Sequence, residues 1–278
     1  MQRRPNYLAV FLTFARNSLV RDMTFRANFL IETVSSLLWM LVNLGFYTLI
    51  FEHTSSIGAG TGWGKYPFFL FFATTLIINS LVHGLFMTNA DEFSELIRTG
   101  SLDFALLKPI DTQFLISLQR IEWSSLSNLV FGLMLLGYAL CRVDYVPGPL
   151  PILLYPAYVA CGVAIMYSLM ISLAATSVWL GRNHTLYDFW FYITNLARYP
   201  MEIYDGRFGT PLRALLTFVI PVLVAVNVPA RLLVKPLELN SAEDWVLPVY
   251  AVAGAVGSLA ASRWVFRKAL ESYRSASS

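Results

Sequence analysis

Residues 66–88 read YPFFLFFATTLIINSLVHGLFMT and contain no Asp, Glu, Lys or Arg. A helix needs about 20 mainly apolar residues to cross the hydrocarbon core of a bilayer, and this stretch is long enough to do so. The rest of the chain has the same character, because 56% of its 278 residues are hydrophobic and 13% are charged, against about 25% charged in ordinary soluble domains. The sequence therefore predicts an all-α integral membrane protein, built as a single transmembrane domain over residues 1–278.

Apolar stretches of spanning length recur on both sides of this example. A chain of this length has room for about six crossings with modest loops. Five predicted spans are 28–51, 66–88, 114–140, 152–180 and 245–266. The remaining span, the fifth in chain order, is either 185–199 or 211–234, and hydrophobicity alone does not choose between them.

A proline-rich segment over residues 200–236 precedes the last predicted span. Its prolines are Pro200, Pro211, Pro221, Pro229 and Pro236. Proline at this density interrupts a helix unless neighbouring groups satisfy the freed backbone. We therefore predict two short helices, about 211–219 and 222–233, that dip into the membrane and return as a re-entrant segment.

Residues 6–26 precede the first span and are amphipathic. Tyr7, Val10, Phe11 and Phe14 recur at helical spacing, with arginines elsewhere. This pattern predicts an interfacial helix that lies on an anionic leaflet with its apolar face towards the lipid. The alternative is a surface helix whose apolar face packs on the protein itself.

The distribution of lysine and arginine indicates the orientation of the chain. The loops 52–65 and 141–150 hold one basic residue each, Lys65 and Arg142. Because basic flanks stay in the cytoplasm, we predict cytoplasmic termini, an even number of crossings and a cytoplasmic position for residues 89–113. The basic flanking residues are Arg3, Arg4, Arg16, Arg21, Arg26, Arg263, Arg267, Lys268 and Arg274.

Three further arginines bear on the choice of the fifth span. Arg198, Arg207 and Arg213 would be external if 185–199 were that span. They would be internal if 211–234 were that span, so charge bias alone favours the second layout.

The cytoplasmic segment begins with a short helix in the sequence NADEFSELIRTG, residues 89–100. Asn89 or Asp91 can cap this helix, and Glu92 and Glu95 lie near its positive end. Arg98 lies in the last turn and Gly100 suits a left-handed stop. Ser101 or Asp103 then starts a second short turn, which Pro109 ends.

One face of the predicted helix is apolar and consists of Phe93, Leu96 and Ile97. A helix outside the membrane needs something to bury such a face. The partner is either the protein's own edge at the inner leaflet or a soluble subunit.

No motif in the sequence specifies an enzyme. Residues 59–65, AGTGWGK, come close to a phosphate-binding loop, but Tyr66 replaces the hydroxyl residue that would hold magnesium and no strand precedes the loop. Cys141 and Cys161 suit neither a disulfide framework nor a metal site, and the three histidines are isolated. The net charge of +3 indicates no nucleic-acid partner. We therefore expect no catalytic residue, metal or cofactor in this chain, and ATP could drive it only through another chain.

The run IRTGSLDFALLKPI over residues 97–110 resembles the cytoplasmic loop of a subfamily of type-2 ABC (ABC-2) transporter permeases. A second likeness covers residues 199–204 (YPMEIY), 212–221 (LRALLTFVIP) and 228–230 (VPA), which are similar to the proline-punctuated segment before the last span of those permeases. Length and span layout match as well. The chain departs from the family at residues 205–211, DGRFGTP, where those permeases often have a proline next to an aromatic residue.

The resemblance implies six spans, an N-terminal amphipathic elbow helix, and a re-entrant helical hairpin between the fifth span, 185–199, and the sixth. It implies an exporter in the plasma membrane, the cell inner membrane, in which this chain forms the substrate pathway together with a second permease, identical or related. A separate ATP-binding-cassette ATPase would bind ATP and Mg. Residues 91–98 would be the coupling helix that docks on that ATPase.

Two sets of residues carry these expectations. The coupling residues are Glu92, Phe93, Glu95, Leu96, Ile97, Arg98, Gly100 and Asp103, with Phe93, Leu96 and Ile97 in the ATPase groove. The re-entrant segment is marked by Pro200, Pro211, Pro221 and Pro229. The substrate stays open among drugs, lipids and peptides, and the alternatives are an ion-coupled carrier or channel without an ATPase, and a membrane-embedded enzyme or scaffold.

Overall fold

The computed structural model describes residues 6–58, 61–180, 184–234 and 242–273, and the side chains of 184–188 and 242–244 are not described. Arg3, Arg4, Pro236, Arg274 and the first two residues of the loop 59–65 lie outside these ranges. The described chain is helical and contains no strand, as predicted. The helices are α1 (Tyr7–Thr24), α2 (Arg26–His53), α3 (Lys65–Val82), α4 (Thr88–Arg98), α5 (Leu102–Leu106), α6 (Thr112–Leu118), α7 (Trp123–Leu140), α8 (Pro149–Ala175), α9 (Ser177–Leu180), α10 (His184–Leu196), α11 (Gly209–Ala214), α12 (Val222–Val234) and α13 (Ala242–Ser272).

Five stretches of helix in the described chain are long and apolar enough to cross a membrane. Helix α3 continues through a π-helical turn, His83–Met87, into α4, and α8 runs on into α9. The five stretches are Arg26–His53, Lys65–Arg98, Trp123–Leu140, Pro149–Leu180 and Trp245–Ser272. They lie where five of the six spans were predicted.

The two ends of the helical bundle carry different elements. Trp63, in the loop before α3, lies at one end, called the Trp63 end below. Helix α1 and helices α4 to α6 lie at the other, called the α1 end, where the rings of Tyr7 and Phe114 meet with centroids 4.9 Å apart. Helix α3 connects the two ends through the centre of the bundle. In its most apolar 18-residue stretch 72% is buried, against 6% in the corresponding stretch of α2.

The predicted third span, 114–140, is two helices rather than one. Helix α6 ends at Leu118 and α7 begins at Trp123. Side chains of α1 satisfy the backbone of the break: the Ile121 N–H donates to Ser18 Oγ (3.0 Å) and the Trp123 N–H to Asp22 Oδ2 (3.3 Å). These partners are about a hundred positions away in the chain, so local hydrophobicity could not reveal the break.

The predicted fifth span, 185–199, is not a regular helix of spanning length. Helix α10 has 13 residues, about 20 Å at 1.5 Å per residue. However, the Trp190 ring lies 5.6 Å from that of His83, directly after α3, and Glu202 Oε2 accepts a 2.9 Å hydrogen bond from Trp63 Nε1, shortly before α3. Residues 190–202 therefore run along the length of α3, about 27 Å, as the end of α10, a short turn at residues 197–198 and the 3-10 turn Met201–Tyr204.

The proline-rich segment forms two short helices, as predicted. They are Gly209–Val219, which ends in a π-helical turn, and α12, and they are bent by 88°. Arg213 in the first pairs with Asp205, and Arg231 in the second pairs with Glu202, so both lead back to the Trp63 end. The bend at Pro221 lies against Gly254, well along α13. The segment therefore enters the bundle from the Trp63 end and returns to it.

Helices α8 and α12 approach each other very closely at one glycine. A Cβ placed on Gly162 would lie 2.3 Å from the backbone oxygen of Ala225 and 3.0 Å from Ile78 Cδ1. Small residues allow such backbone contacts between membrane helices, where dispersion and close packing supply most of the attraction. Gly162 thus fixes the distance between α8 and the returning arm of the re-entrant segment.

Helix α1 has two apolar sides with different surroundings. Its predicted apolar face packs on the protein, since Tyr7 contacts Phe114 and Phe14 is half-buried against the core. This is the alternative interpretation of the pattern. A second apolar side is exposed, with Leu8, Leu12 and Val20 each about 60% accessible, and it is the side available to lipid.

Candidate functional site

The cytoplasmic segment predicted from the sequence continues the central helix instead of starting a new one. Helix α4 follows α3 without interruption through the π-helical turn, and no side chain caps its first turn. The prediction that Asn89 or Asp91 caps this helix is therefore wrong. Because α3 and α4 form one rod, a force on α4 acts directly on the most buried of the five spanning stretches.

Asn89 joins this rod to the break between α6 and α7. Its Nδ2 donates to the backbone oxygens of Leu85 (2.9 Å) and Arg120 (2.6 Å), and its Oδ1 accepts from the Arg120 N–H (2.8 Å). The Glu122 N–H donates to the Gly84 oxygen (2.8 Å), and Glu92 pairs with the Arg120 guanidinium. These bonds replace the helical hydrogen bonds lost at the break and hold α4 against the start of α7.

Phe93 lies inside the protein and not on a docking surface. Its side chain is fully buried, and its ring packs against Phe266 of α13 with centroids 5.4 Å apart. Leu96 and Ile97 are partly buried against the same core. The assignment of Phe93 to an ATPase groove is therefore wrong for this conformation, because α13 already covers that face of α4.

The exposed apolar side chains of the segment lie one turn further along the chain. Gly100, with φ of 71°, ends α4 in the left-handed conformation as predicted, and α5 follows. Phe104, Leu106 and Leu107 on and after α5 are 73%, 40% and 81% accessible. We call these three residues the α5 patch.

Charged residues surround the α5 patch. Glu95 and Arg98 are exposed and hydrogen-bonded to each other, Nε to Oε2 at 2.8 Å, and Lys108 is exposed beside Leu107. Burial raises the pKa of Tyr273, and the nearby Asp103 carboxylate raises it further, so the end of α13 lies close to α5. Glu92 and Asp103, both predicted as coupling residues, thus make contacts within the protein.

A second polar cluster fixes the end of the segment. Arg263 of α13 donates to Asp111 Oδ1 and to Gln113 Oε1, both at 3.0 Å, and Gln113 Nε2 donates to the Tyr167 hydroxyl of α8 at 3.1 Å. Asp111 also caps α6 by accepting from the Phe114 N–H (3.0 Å). The hydrogen bond from Arg263, assisted by those from the backbone N–H groups of Phe114 and Gln113, holds the pKa of Asp111 below its usual range.

The four prolines of the re-entrant segment have distinct positions. Pro200 precedes the 3-10 turn, Pro211 lies in α11, Pro221 marks the bend, and Pro229 is buried within α12.

In the described part of the chain no group of three or more His, Cys, Asp or Glu could hold a metal ion.

Sequence reasoning missed a polar cavity between α2, α3, α7 and the chain after α10. Its volume is about 350 Å³, and Arg198 lines it together with Asn79, His83 and Asn128. We call it the Arg198 cavity. The layout with 185–199 as the fifth span had put Arg198 on the external side, and only the path of residues 190–202 along α3 places it beside the central helix.

The fold and the α5 segment define a multi-pass membrane protein whose central helix projects beyond the spans. A family model described as ABC-2 family transporter protein matches residues 37–277. The chain therefore belongs to the ABC-2 family of transporter proteins, as the resemblance predicted, and is a membrane transport component. A search of curated proteins and a search of solved structures each find no match.

Proposed function

We propose that this chain is the permease subunit of an ABC exporter, that it forms the substrate pathway, and that it docks through the α5 patch on a separate ATPase. The observation that supports this proposal best is the position of the patch. Phe104 and Leu107 are exposed directly after a helical rod that runs through the centre of the bundle. Exposed apolar groups rimmed by charges are typical of protein interfaces.

The connection from the patch to the membrane suggests how ATP could drive the spans. ATP binding would bring two ATPase subunits together and carry the docked α5 patch with them. Helix α4 would transmit this displacement to α3, and the Asn89 contacts would transmit it to α7. Such a rod between two arrangements of the spans is a bistable element that ATP on another chain can bias.

The proposed orientation follows the charges. Arg16, Arg21 and Arg26 lie at the α1 end with the α5 patch, and Arg267 and Lys268 lie at the same end in α13. This end would face the cytoplasm, where ATP is available, in a plasma membrane, the cell inner membrane in bacteria. The ATPase would hold the ATP and Mg. The path of residues 190–202 supports a fifth crossing by that segment, which gives the even number that cytoplasmic termini need.

The exposed surface of α2 favours a working unit with a second permease, identical or related. This helix is almost unburied in the single chain, with Leu38, Val42 and Phe46 each more than half accessible. The part of the α2 surface that a second permease does not cover would contact lipid.

The test is affinity purification of the protein from its own membranes, with identification of the chains that accompany it. We expect an ATP-binding-cassette subunit in stoichiometric amount, and a second permease if the dimer is mixed. A homo-oligomer without an ATPase, in a detergent that keeps a known ABC complex intact, would contradict the proposal and favour an ion-coupled carrier or channel.

A further inference from the structure

The Arg198 cavity lies near the middle of the membrane-spanning region. Helix α2 contributes Ser36, Trp39, Met40 and Asn43 to its wall, which share one face of the helix at i, i+3, i+4 and i+7. With Tyr47, which also lines the cavity, this face extends from about ten residues inside one end of α2 to about six residues inside the other, or about 9–15 Å at helical rise. The cavity is therefore at a depth where water is scarce and polar groups need partners from protein or ligand.

Arg198 has a positive charge that nothing in the described chain neutralises. No described carboxylate forms an ion pair with it, and the residues that line the cavity include no Asp or Glu. Arginine stays protonated in proteins, and a charge at this depth costs several kcal/mol unless it is paired or hydrated. The described residues of the cavity thus offer Arg198 no anionic partner.

The cavity also contains polar side chains with hydrogen-bonding capacity to spare. The side chains of Asn79 and Asn128 make no hydrogen bond to another described residue. His83 and Ser125 line the same wall. Amide and hydroxyl donors arranged around a guanidinium suit a carboxylate or a phosphate.

The remaining wall is apolar and reaches the outer surface of the chain. Trp39, Met40, Phe72 and Leu76 form this side of the cavity, and the Trp39 side chain is 65% accessible. A ligand can therefore place an apolar body along α2 while its charged group contacts Arg198. The volume of about 350 Å³ is within the range of small-molecule sites.

We infer that the Arg198 cavity binds an amphipathic anion, a molecule with one carboxylate or phosphate group on an apolar body. As a cargo site it rests on the permease function proposed above, because it names the class of substrate for that pathway. Binding itself needs neither ATP nor an ATPase. A failure of ATPase association and a failure of ligand binding can therefore be told apart.

The test uses the purified full chain in a neutral maltoside detergent, with ligand binding measured by native mass spectrometry and by equilibrium binding. The probes are oleate, 1-oleoyl-lysophosphatidate, oleyl alcohol and inorganic phosphate. We expect oleate, 1-oleoyl-lysophosphatidate or both to bind, and the stronger of the two identifies a carboxylate or a phosphate ligand. Oleyl alcohol and inorganic phosphate should bind at least tenfold more weakly.

Variants assign the binding to the cavity. Arg198→Gln should raise the Kd of the anionic probe at least tenfold, whereas the matched control Arg207→Gln, in an exposed turn, should leave it unchanged. Asn79→Asp gives Arg198 an internal partner and should also weaken binding, so the test stands even if Arg198→Gln misfolds.

Four results would overturn the inference. The first is that Arg198→Gln binds the anionic probe as tightly as the unchanged protein, and the second is that oleyl alcohol binds as tightly as the anionic probes. The third is that inorganic phosphate competes with the amphiphile at equal concentration. The fourth is that Arg198→Gln loses self-association of the chain and not ligand binding. The last would mean that a second copy of the chain supplies the anion.

Discussion

The ring of Phe93 packs against the ring of Phe266, with centroids 5.4 Å apart and an interplanar angle of 32°. This contact joins the projecting end of the central rod to the end of α13. It buries the face of α4 that the sequence had assigned to a partner. The division of roles between a structural Phe93 and a docking α5 patch leads to the first two predictions.

Phe93→Ala should destabilise the protein and leave the docking surface intact. Truncation of a buried phenylalanine costs roughly 3–5 kcal/mol in protein cores, so the unfolding temperature in detergent should fall by several degrees or more. The matched control is Phe104→Ala, whose ring is 73% accessible and whose loss should change stability by less than about 0.5 kcal/mol. Equal stability of the two variants would contradict the assignment.

Leu107→Asp should weaken association with the ATPase while the permease stays folded. Leu107 is 81% accessible, so the change costs little in the single chain, but a buried and unpaired carboxylate in an interface costs at least tenfold in Kd. Co-purification at defined ATPase concentrations measures the effect. Val146→Asp is the control, because Val146 is equally exposed, 82%, in the loop between α7 and α8. If both variants retain the ATPase equally, the α5 patch is not the docking surface.

Asn89→Ala should loosen the joint between α4 and α7 without removing the docking surface. The substitution leaves the Arg120 N–H and C=O without their partners, and unsatisfied buried backbone groups cost about 1–3 kcal/mol each. Hydrogen exchange should therefore accelerate at residues 119–122, and transport should fall more than ATPase association does. Asn17→Ala on the exposed side of α1 is the control. Unchanged exchange at 119–122 would show that Asn89 does not hold the joint.

Gly162→Ala should force α12 away from α8. The new methyl group would overlap the Ala225 carbonyl, and overpacking of this kind costs typically about 1–3 kcal/mol. Gly137→Ala in α7 is the control, since nothing lies within 4 Å of a Cβ there, and the change should be neutral or stabilise by up to about 1 kcal/mol. The measurement is the thermal unfolding temperature of both variants. An unchanged unfolding temperature for Gly162→Ala would mean that the α8–α12 contact is looser than the geometry indicates.

Much of this fold follows from properties that act locally along the chain. The run of apolar residues over 66–88 is long enough for a span whatever surrounds it, and Pro221 interrupts a helix wherever it lies. Gly100 is likewise the residue that best tolerates the left-handed stop after Arg98. For these features the sequence contains the cause, and the structure agrees with the prediction.

The incorrect predictions concern partners that are distant in the chain. Asn89 has the chemistry of a helix cap, but the break at Arg120 presents two backbone groups that it satisfies better. The periodicity of α4 correctly gives Phe93 an apolar environment and says nothing about whether Phe266 or another protein supplies it. The layout with 185–199 as the fifth span put Arg198 on the external side, whereas the packing of residues 190–202 on α3 directs it into a cavity.

The most direct test of the central claim, that the α5 patch docks on an ATPase, is photo-crosslinking from position 107 in native membranes. A photoreactive amino acid replaces Leu107, and a second variant carries it at Val146 as the control. We predict a crosslinked product between the Leu107 variant and an ATP-binding-cassette subunit, and none from position 146. A Leu107 variant that crosslinks only to lipid, or to no other protein, would contradict the account.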